Sequence, residues 1–285
     1  MGSLREGRRA VIVACLLEMK ALEKVMPELP EVETLCRQLQ QVLSGRTIRG
    51  LAVHDLRLGQ VASPAGKRVL GVSRRGKGLE FALTGGHSLC LHLRMTGRLL
   101  WRSSRLPPLP HTRFTLFFGT DQCICIDPRR FATLSLKEAP AGEAPPMPDP
   151  LRGLETSRLR EIARKRHLPV KSFLMDQKII AGIGNIYACE ILHRSAIDPL
   201  RGVCSLSIEE WTEVSTAAKA VLTRAVECRG TTVSDWRDLF GQPGTFQNEL
   251  AAYAREGHPC RRCGGIIHRR PLAGRGTWFC PSCQR

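Results

Sequence analysis

The sequence predicts a multidomain α+β protein: an N-terminal β-sandwich with a flanking helix, then a helical domain, then a small C-terminal β-hairpin unit. Three observations carry this reading. Residues 47–135 break into short apolar runs separated by turn residues, the pattern of a sandwich or barrel rather than a parallel sheet. Beyond a proline-rich stretch the apolar spacing becomes helical. The chain then closes on Cys260-Arg261-Arg262-Cys263 and, sixteen residues later, Cys280-Pro281-Ser282-Cys283. Two such knuckles can supply four thiolates to one tetrahedral zinc, so the last unit reads as a zinc finger.

The elements follow in order. Val32, Leu35, Cys36, Leu39, Val42 and Leu43 mark one face of an amphipathic helix over Glu31–Leu43. Pro30 suits its first turn, Glu31 and Glu33 complement its dipole, and Gly45 stops it. Strands are expected at Thr47–His54, Val69–Ser73, Leu79–Leu83, Ser88–Arg94, Arg113–Phe118 and Gln122–Ile126. Gly85-Gly86 and Gly119-Thr120-Asp121 supply hairpin turns between them. Ala139–Pro150 holds five prolines and reads as a linker. Helices are then expected at Thr156–Arg166, Val170–Gln177, Ile186–His193 and Ser207–Glu227. Ser207 and Glu210 form a capping box for the last of them. Gly182-Ile183-Gly184-Asn185 interrupts this region. It is not a dinucleotide fingerprint, because no strand precedes it and a third glycine is missing.

Charge narrows the partner. The chain of 285 residues carries 43 Lys+Arg against 26 Asp+Glu, a net charge of +17. A surplus of that size favours polyanions. Membrane attraction is the rival, but no apolar run approaches the roughly 18–20 residues that span a bilayer. Nucleic acid is the expected partner. The charge is concentrated at the end: residues 255–285 hold seven arginines and one acidic residue, Glu256. Such a knot suits a nucleic-acid-facing module, although a plain structural ribbon with solubilising arginines would look similar. The other eight cysteines are scattered, several in apolar runs such as Cys123-Ile124-Cys125-Ile126. They read as small buried hydrophobes in a reducing compartment, hence a cytoplasmic, nucleoid-associated protein.

Four segments carry more than composition does. Met26-Pro27-Glu28-Leu29-Pro30-Glu31, Asp127-Pro128-Arg129-Arg130-Phe131, Gly182-Ile183-Gly184-Asn185-Ile186-Tyr187 and the terminal knuckles stand in this order. Together, over residues 26–285, the chain resembles the formamidopyrimidine-DNA glycosylases. The resemblance implies a helix–two-turns–helix DNA-binding domain in the helical region. It also implies a bifunctional glycosylase and abasic-site lyase acting on double-stranded DNA that contains oxidised purines or abasic sites. One structural zinc, a monomer and no membrane partner complete the expectation.

The resemblance also assigns residues. Pro27 is the nucleophile. As a free N-terminal amine its pKa would lie near ~8, leaving roughly a tenth neutral at pH 7, far more than an ordinary lysine offers. Glu28 is the proton donor for the departing base. Lys77 serves β-elimination and phosphate contact, and Arg275 serves δ-elimination and phosphate contact. Met95, Arg129 and Phe131 fill the hole left by the extruded base. His92, His111, Arg129, Arg130, Arg166, Lys171 and Asn185 are further DNA-binding positions, with the amides around Asn185 expected to hold a phosphate. Residues 230–250 correspond to the loop that covers the flipped base. Cys260, Cys263, Cys280 and Cys283 hold the metal.

One departure bears on everything else. Twenty-five residues precede Met26, including a short apolar stretch, Ala10–Leu17, after Arg8 and Arg9. A signal-like segment, a short helix and an untranslated stretch are all compatible with it, though no small-x-small cleavage site follows. With residues 1–26 retained, Pro27 is an internal tertiary amide and cannot form an iminium. The expected division is therefore an extension with initiator methionine at 1–26, a catalytic sandwich at 27–138, a linker at 139–152, the helical domain at 153–250 and the zinc finger at 251–285. A non-catalytic zinc-ribbon lesion binder is the alternative if the extension stays. An endonuclease VIII-like enzyme for oxidised pyrimidines is the other.

Overall fold

The computed structural model describes residues 26–103, 106–139, 141 and 148–285. The extension before Met26 and much of the proline-rich linker lie outside the described residues.

Helix α1 (Leu29–Leu43) starts two residues before its apolar pattern does, because its cap is built from carboxylates. The Glu28 N–H donates to Glu31 Oε2 at 2.9 Å, and Pro30 sits in the first turn, where no donor is missed. Its Leu35, Leu39 and Leu43 are fully buried in the sandwich core with Phe81 and Phe114.

Two antiparallel four-stranded sheets form that sandwich. One runs β1 (Gly50–Val53), β6 (Thr112–Phe118), β7 (Asp121–Ile126), β5 (Arg98–Arg102). The other runs β2 (Val69–Arg75), β3 (Gly78–Leu83), β4 (His87–His92), β8 (Thr133–Lys137). β5 and β8 were not expected. They pair with β7 and β4 in unbroken register; β5 (Arg-Leu-Leu-Trp-Arg) is defined by its neighbour more than by its own sequence, whereas β8 (Thr-Leu-Ser-Leu-Lys) alternates and was legible. Gly85, Gly86 and Gly119 turn with positive φ at the expected hairpins.

The helical half comprises α2 (Thr156–Arg164), α3 (Val170–Leu174), α4 (Asn185–Arg194) and α5 (Ile208–Glu227). The second of these is shorter than its pattern suggested. Ser207 Oγ accepts from the Glu210 N–H at 3.2 Å while the Ser207 N–H reaches Glu210 Oε2 at 2.8 Å, so the expected capping box caps α5. Phe173, Tyr187 and Trp211 fill the core. The hairpin β9 (His268–Leu272) and β10 (Arg275–Phe279) ends the fold, turning through Ala273 and Gly274, both at positive φ. Among the described residues no helix is long and apolar enough to cross a membrane.

The halves exchange core residues. Leu29, at the start of α1, belongs to the helical core. Trp236 and Leu239, on the strap that follows α5, belong to the sandwich core. The strap is also hydrogen-bonded there. Gln38 Nε2 donates to Asp238 Oδ2 at 2.9 Å, the Leu239 N–H donates to Gln38 Oε1 at 3.0 Å, and the Trp101 N–H of edge strand β5 donates to the Leu239 carbonyl at 2.8 Å.

Candidate active site and nucleic-acid interface

Where α1 begins, it meets the start of α4. Glu28 Oε1 accepts from the Ile186 N–H at 3.1 Å, and Oε2 lies 3.5 Å from the Tyr187 N–H. The amides expected to receive a phosphate are thus taken by this carboxyl group. Asn185 is the first residue of α4, and Gly184, not Asn185, is its cap. Glycine there has a plain reason: a methyl on Gly184 would overlap the Glu28 carboxyl group. Gly182 is the same kind of position. It sits at φ +96°, and a Cβ would come 2.7 Å from Leu29 Cβ.

Burial pushes the Glu28 carboxyl up, and Lys77 and the α4 amides only partly oppose this. The result is a carboxyl group that holds its proton better than a surface glutamate does. Lys77 is buried too, and desolvation lowers it, with Glu28 pulling the other way and Arg275 adding to the depression. Glu31 is the third member. Oε1 accepts from the Tyr187 hydroxyl at 2.6 Å and from the Thr231 N–H at 2.8 Å. Burial first, then the neighbouring Glu28, push it up to about 7. Gly230 cradles it, since a Cβ there would lie 2.6 Å from Glu31 Oε1. Tyr187 and Thr231 stand in segments singled out from the sequence, but neither was given a role of its own. Their role rests on contacts across 156 and 200 residues.

Glu28 and Lys77 line a cleft of about 810 Å³ whose walls also include Met95, Arg129, Asn185 and Arg275. A second pocket of about 20 Å³ lies beside Pro27 and Glu31 and is roofed by Val233–Trp236 of the strap. That is room for about one water. Pro27 borders it as an amide of Met26.

The expected DNA contacts differ in how far they are free to meet a phosphate. Arg166, His111, Arg129 and Arg275 are exposed, and the Arg129 guanidinium stacks 4.8 Å over the ring of Phe131, itself 47% exposed. Arg130 is partly committed, because its Nε donates to Asp55 Oδ2 at 2.8 Å. His92 is pushed down to about 4 by burial, then by Arg94 and Lys77, and its Nδ1 accepts the Arg94 N–H at 3.0 Å, so at neutral pH it is not a cationic contact. Lys171 requires a correction. Expected as a surface cation, it is 1% exposed, with Nζ donating to the Gly276 carbonyl at 2.8 Å and to Thr277 Oγ1 at 2.7 Å. It fastens the hairpin that carries Arg275 to the helical half.

Behind the turns that carry Met95 and Arg129–Phe131 lies Asp127, which opens a motif singled out from the sequence but was given no role of its own. It accepts from the N–H groups of Phe131 and Ala132 at 2.7 Å each, from that of Arg129 at 3.2 Å, and from the Thr96 hydroxyl. An aspartate opening an Asp-Pro turn is a legible signal for such local capping.

At the hairpin's base the four Sγ atoms of Cys260, Cys263, Cys280 and Cys283 lie within 4.8 Å of one another. Two of their separations are 3.8 and 3.5 Å. Zn–S bonds of ~2.3 Å in a tetrahedron imply S–S edges of roughly 3.8 Å, so the cluster fits one structural zinc. His193 Nε2, 3.2 Å from Cys260 Sγ, ties the cluster to α4.

A cleft between a sandwich and a helical domain, lined by a buried carboxyl group and a lysine and flanked by a four-cysteine hairpin, defines a zinc-ribbon protein built for chemistry on a polyanion. Family models agree with that class and sharpen it. The formamidopyrimidine-DNA glycosylase N-terminal domain matches residues 26–134, its H2TH domain residues 147–236, and the zinc finger found in FPG and IleRS residues 257–285. The formamidopyrimidine-DNA glycosylase of Thermus thermophilus is 43% identical over 277 residues, covering 91% of this chain and 98% of its own. That of an Exiguobacterium species is 39% identical over 276 residues, covering 91% and 100%. Among solved structures, the Lactococcus lactis protein in complex with Fapy-dG-containing DNA superposes with a TM-score of 0.81 at 32% identity, over 90% of this chain and 100% of that one. Its complex with DNA containing an abasic site gives 0.82 at 32% identity, over 90% and 99%. The chain belongs to the formamidopyrimidine-DNA glycosylase family.

Proposed function

We propose that this protein is a bifunctional DNA glycosylase and abasic-site lyase of base excision repair, acting on 8-oxoguanine and formamidopyrimidines in double-stranded DNA. One observation carries the reading: a buried carboxyl group, Glu28, with its proton affinity raised, next to Pro27 and facing Lys77 across a basic cleft. The Pro27 nitrogen attacks the deoxyribose C1′, the C1′–N bond breaks, and Glu28 delivers its proton to the departing base. The C1′–O4′ bond then opens, O4′ taking up a proton as the proline nitrogen gives one up, and the C1′=N iminium so formed acidifies C2′. Loss of the C2′ proton breaks the C3′–O bond, and a second elimination breaks C5′–O. Lys77, of which desolvation keeps more in the neutral, proton-accepting form, serves the proton transfers. Arg275 holds a phosphate from the hairpin. Met95, Arg129 and Phe131 fill the duplex behind the extruded nucleotide. Zinc closes the hairpin through four thiolates and leaves no open coordination position, so its role is structural.

The chemistry needs a free amine at Pro27, and Met26, where the family match begins, is the natural initiator. The boundaries at 27–138, 139–152, 153–250 and 251–285, a monomeric state and a nucleoid-associated cytoplasmic site complete the proposal. Borohydride reduction with 8-oxoguanine DNA tests it: a covalent complex through Pro27 is expected, and native protein should begin at Pro27. A native protein beginning at Met1 that binds lesion DNA without trapping would be a non-catalytic lesion binder instead. Preference for oxidised pyrimidines on a damage panel would place it with endonuclease VIII.

A further inference from the structure

We propose that Asp127, acting through Thr96, is a positioning residue that couples the two void-filling turns, so that Met95 and the Arg129–Phe131 pair enter the duplex as one body. This rests on the reading of those three residues as the wedge. They come from separate connections. Met95 lies in the turn between β4 and β5, and Arg129 and Phe131 in the turn between β7 and β8. Asp127 is fully buried between the two. On one side its Oδ1 accepts the Thr96 hydroxyl, one residue from Met95. On the other it accepts the N–H groups of Arg129, Phe131 and Ala132.

The coupling has a rigid backing. Arg113, itself buried, lies 3.6 Å from Asp127 Oδ2 and 2.7 Å from Asp55 Oδ2, and Asp55 also holds Arg130. Both turns contain a non-glycine residue in the left-handed region, Arg94 at φ 57° and Arg130 at φ 64°. Such backbone persists only where its surroundings over-determine it. A carboxylate that takes donors from both turns supplies that constraint, and a shift of one turn is carried to the other. The consequence is mechanical. A paired base leaves a hole that needs Met95 and Phe131 at the same moment, so independent turns would insert late.

Thr96→Val in the full protein tests this, since it keeps the β-branched shape and removes only the hydroxyl that Asp127 accepts. Excision of 8-oxoguanine opposite cytosine should slow about tenfold, the scale of one lost charge-assisted hydrogen bond. The same lesion opposite a non-pairing analogue is already cheap to extrude, and its excision should stay within about twofold. In a Met95→Ala background Thr96→Val should add little, because it acts through Met95. Asp127→Asn should show the same dependence on the opposing base, more strongly. Equal slowing on both duplexes, or full additivity with Met95→Ala, would mean that Thr96 only stabilises the fold, and would overturn the proposal. If Met95→Ala itself left excision from the paired duplex intact while the protein still trapped with borohydride, the wedge assignment would fail, with the glycosylase reading untouched.

Discussion

The carboxyl floor at Glu28 and the cysteine knot at the hairpin are both ordered sites, but they are ordered by opposite means. In the knot, four ligands from a short stretch converge on an ion, and the surrounding chain needs little more than tight turns. At the floor the order comes from packing. Two carboxyl groups are buried against backbone amides and a tyrosine from far along the chain, and three glycines make the room. A metal site tolerates a loose neighbourhood because its bonds are strong and directional. A packed carboxyl site owes its proton affinity to that neighbourhood.

The largest expected effect breaks the knot. Structural zinc in small fingers contributes on the order of 10 kcal/mol to folding. Chelation, or Cys280→Ser, should therefore abolish stable DNA binding by releasing Arg275 and the hairpin. Strand signals from the sandwich should survive in the circular dichroism spectrum. Loss of the sandwich along with the zinc would show that the two sites are not independent.

Next comes Gly184→Ala, which attacks the floor alone. The backbone at 184 is extended and accepts alanine, so the damage is confined to the overlap with Glu28. A displacement near 1 Å can cost about a hundredfold in rate. Excision of 8-oxoguanine should fall by about that factor while zinc content stays at one per chain.

Glu31 offers a smaller, pH-dependent effect. Its folded value is pushed up to about 7 from an ordinary 4.5. Between those two pH values the native state keeps a proton that the unfolded chain has released, so stability falls as pH rises from about 4.5 to 7. The change is of order 1–3 kcal/mol. Denaturant titrations should show that slope in the wild type and a flatter one in Glu31→Gln. An unchanged slope would assign the titration to another group.

The smallest effect belongs to the exposed rim. Arg166→Ala should reduce the salt dependence of DNA binding by about one counterion, ~0.9 in the log–log slope, for damaged and undamaged duplexes alike. A lesion-selective loss would move Arg166 from the rim to the floor.

The same contrast explains what could be read in advance. The knot was legible because its information is local: two CxxC pairs and the spacing between them. So were α1 and the Ser207 cap of α5, whose signals fit within one helix. Glu28, Lys77 and Arg275 were reachable only through a resemblance. What makes the floor a floor, the Glu28 contact to Ile186, spans 158 residues and leaves no local trace beyond the glycines at 182 and 184. Those glycines were visible, but as a turn before a helix they suggested a phosphate site. Lys171 failed for the same reason. A lysine reads as solvated even between Val170 and Phe173, and its burial depends on a carbonyl 105 residues away. Strand β5 was missed because Arg98–Arg102 does not alternate, and its place is set by β7 and by the strap.

The exchanged core residues have a consequence for biosynthesis. As the chain leaves the ribosome, the sandwich emerges first, yet its core lacks Trp236 and Leu239 until α5 and most of the strap have followed. The helical half in turn takes Leu29, made near the start, into its own core. Neither half can reach its final free energy alone, so vectorial folding stalls at an incomplete sandwich and finishes in one late closing step. A cut in the linker after that step would leave two fragments still clasped, while the same cut before it would strand both.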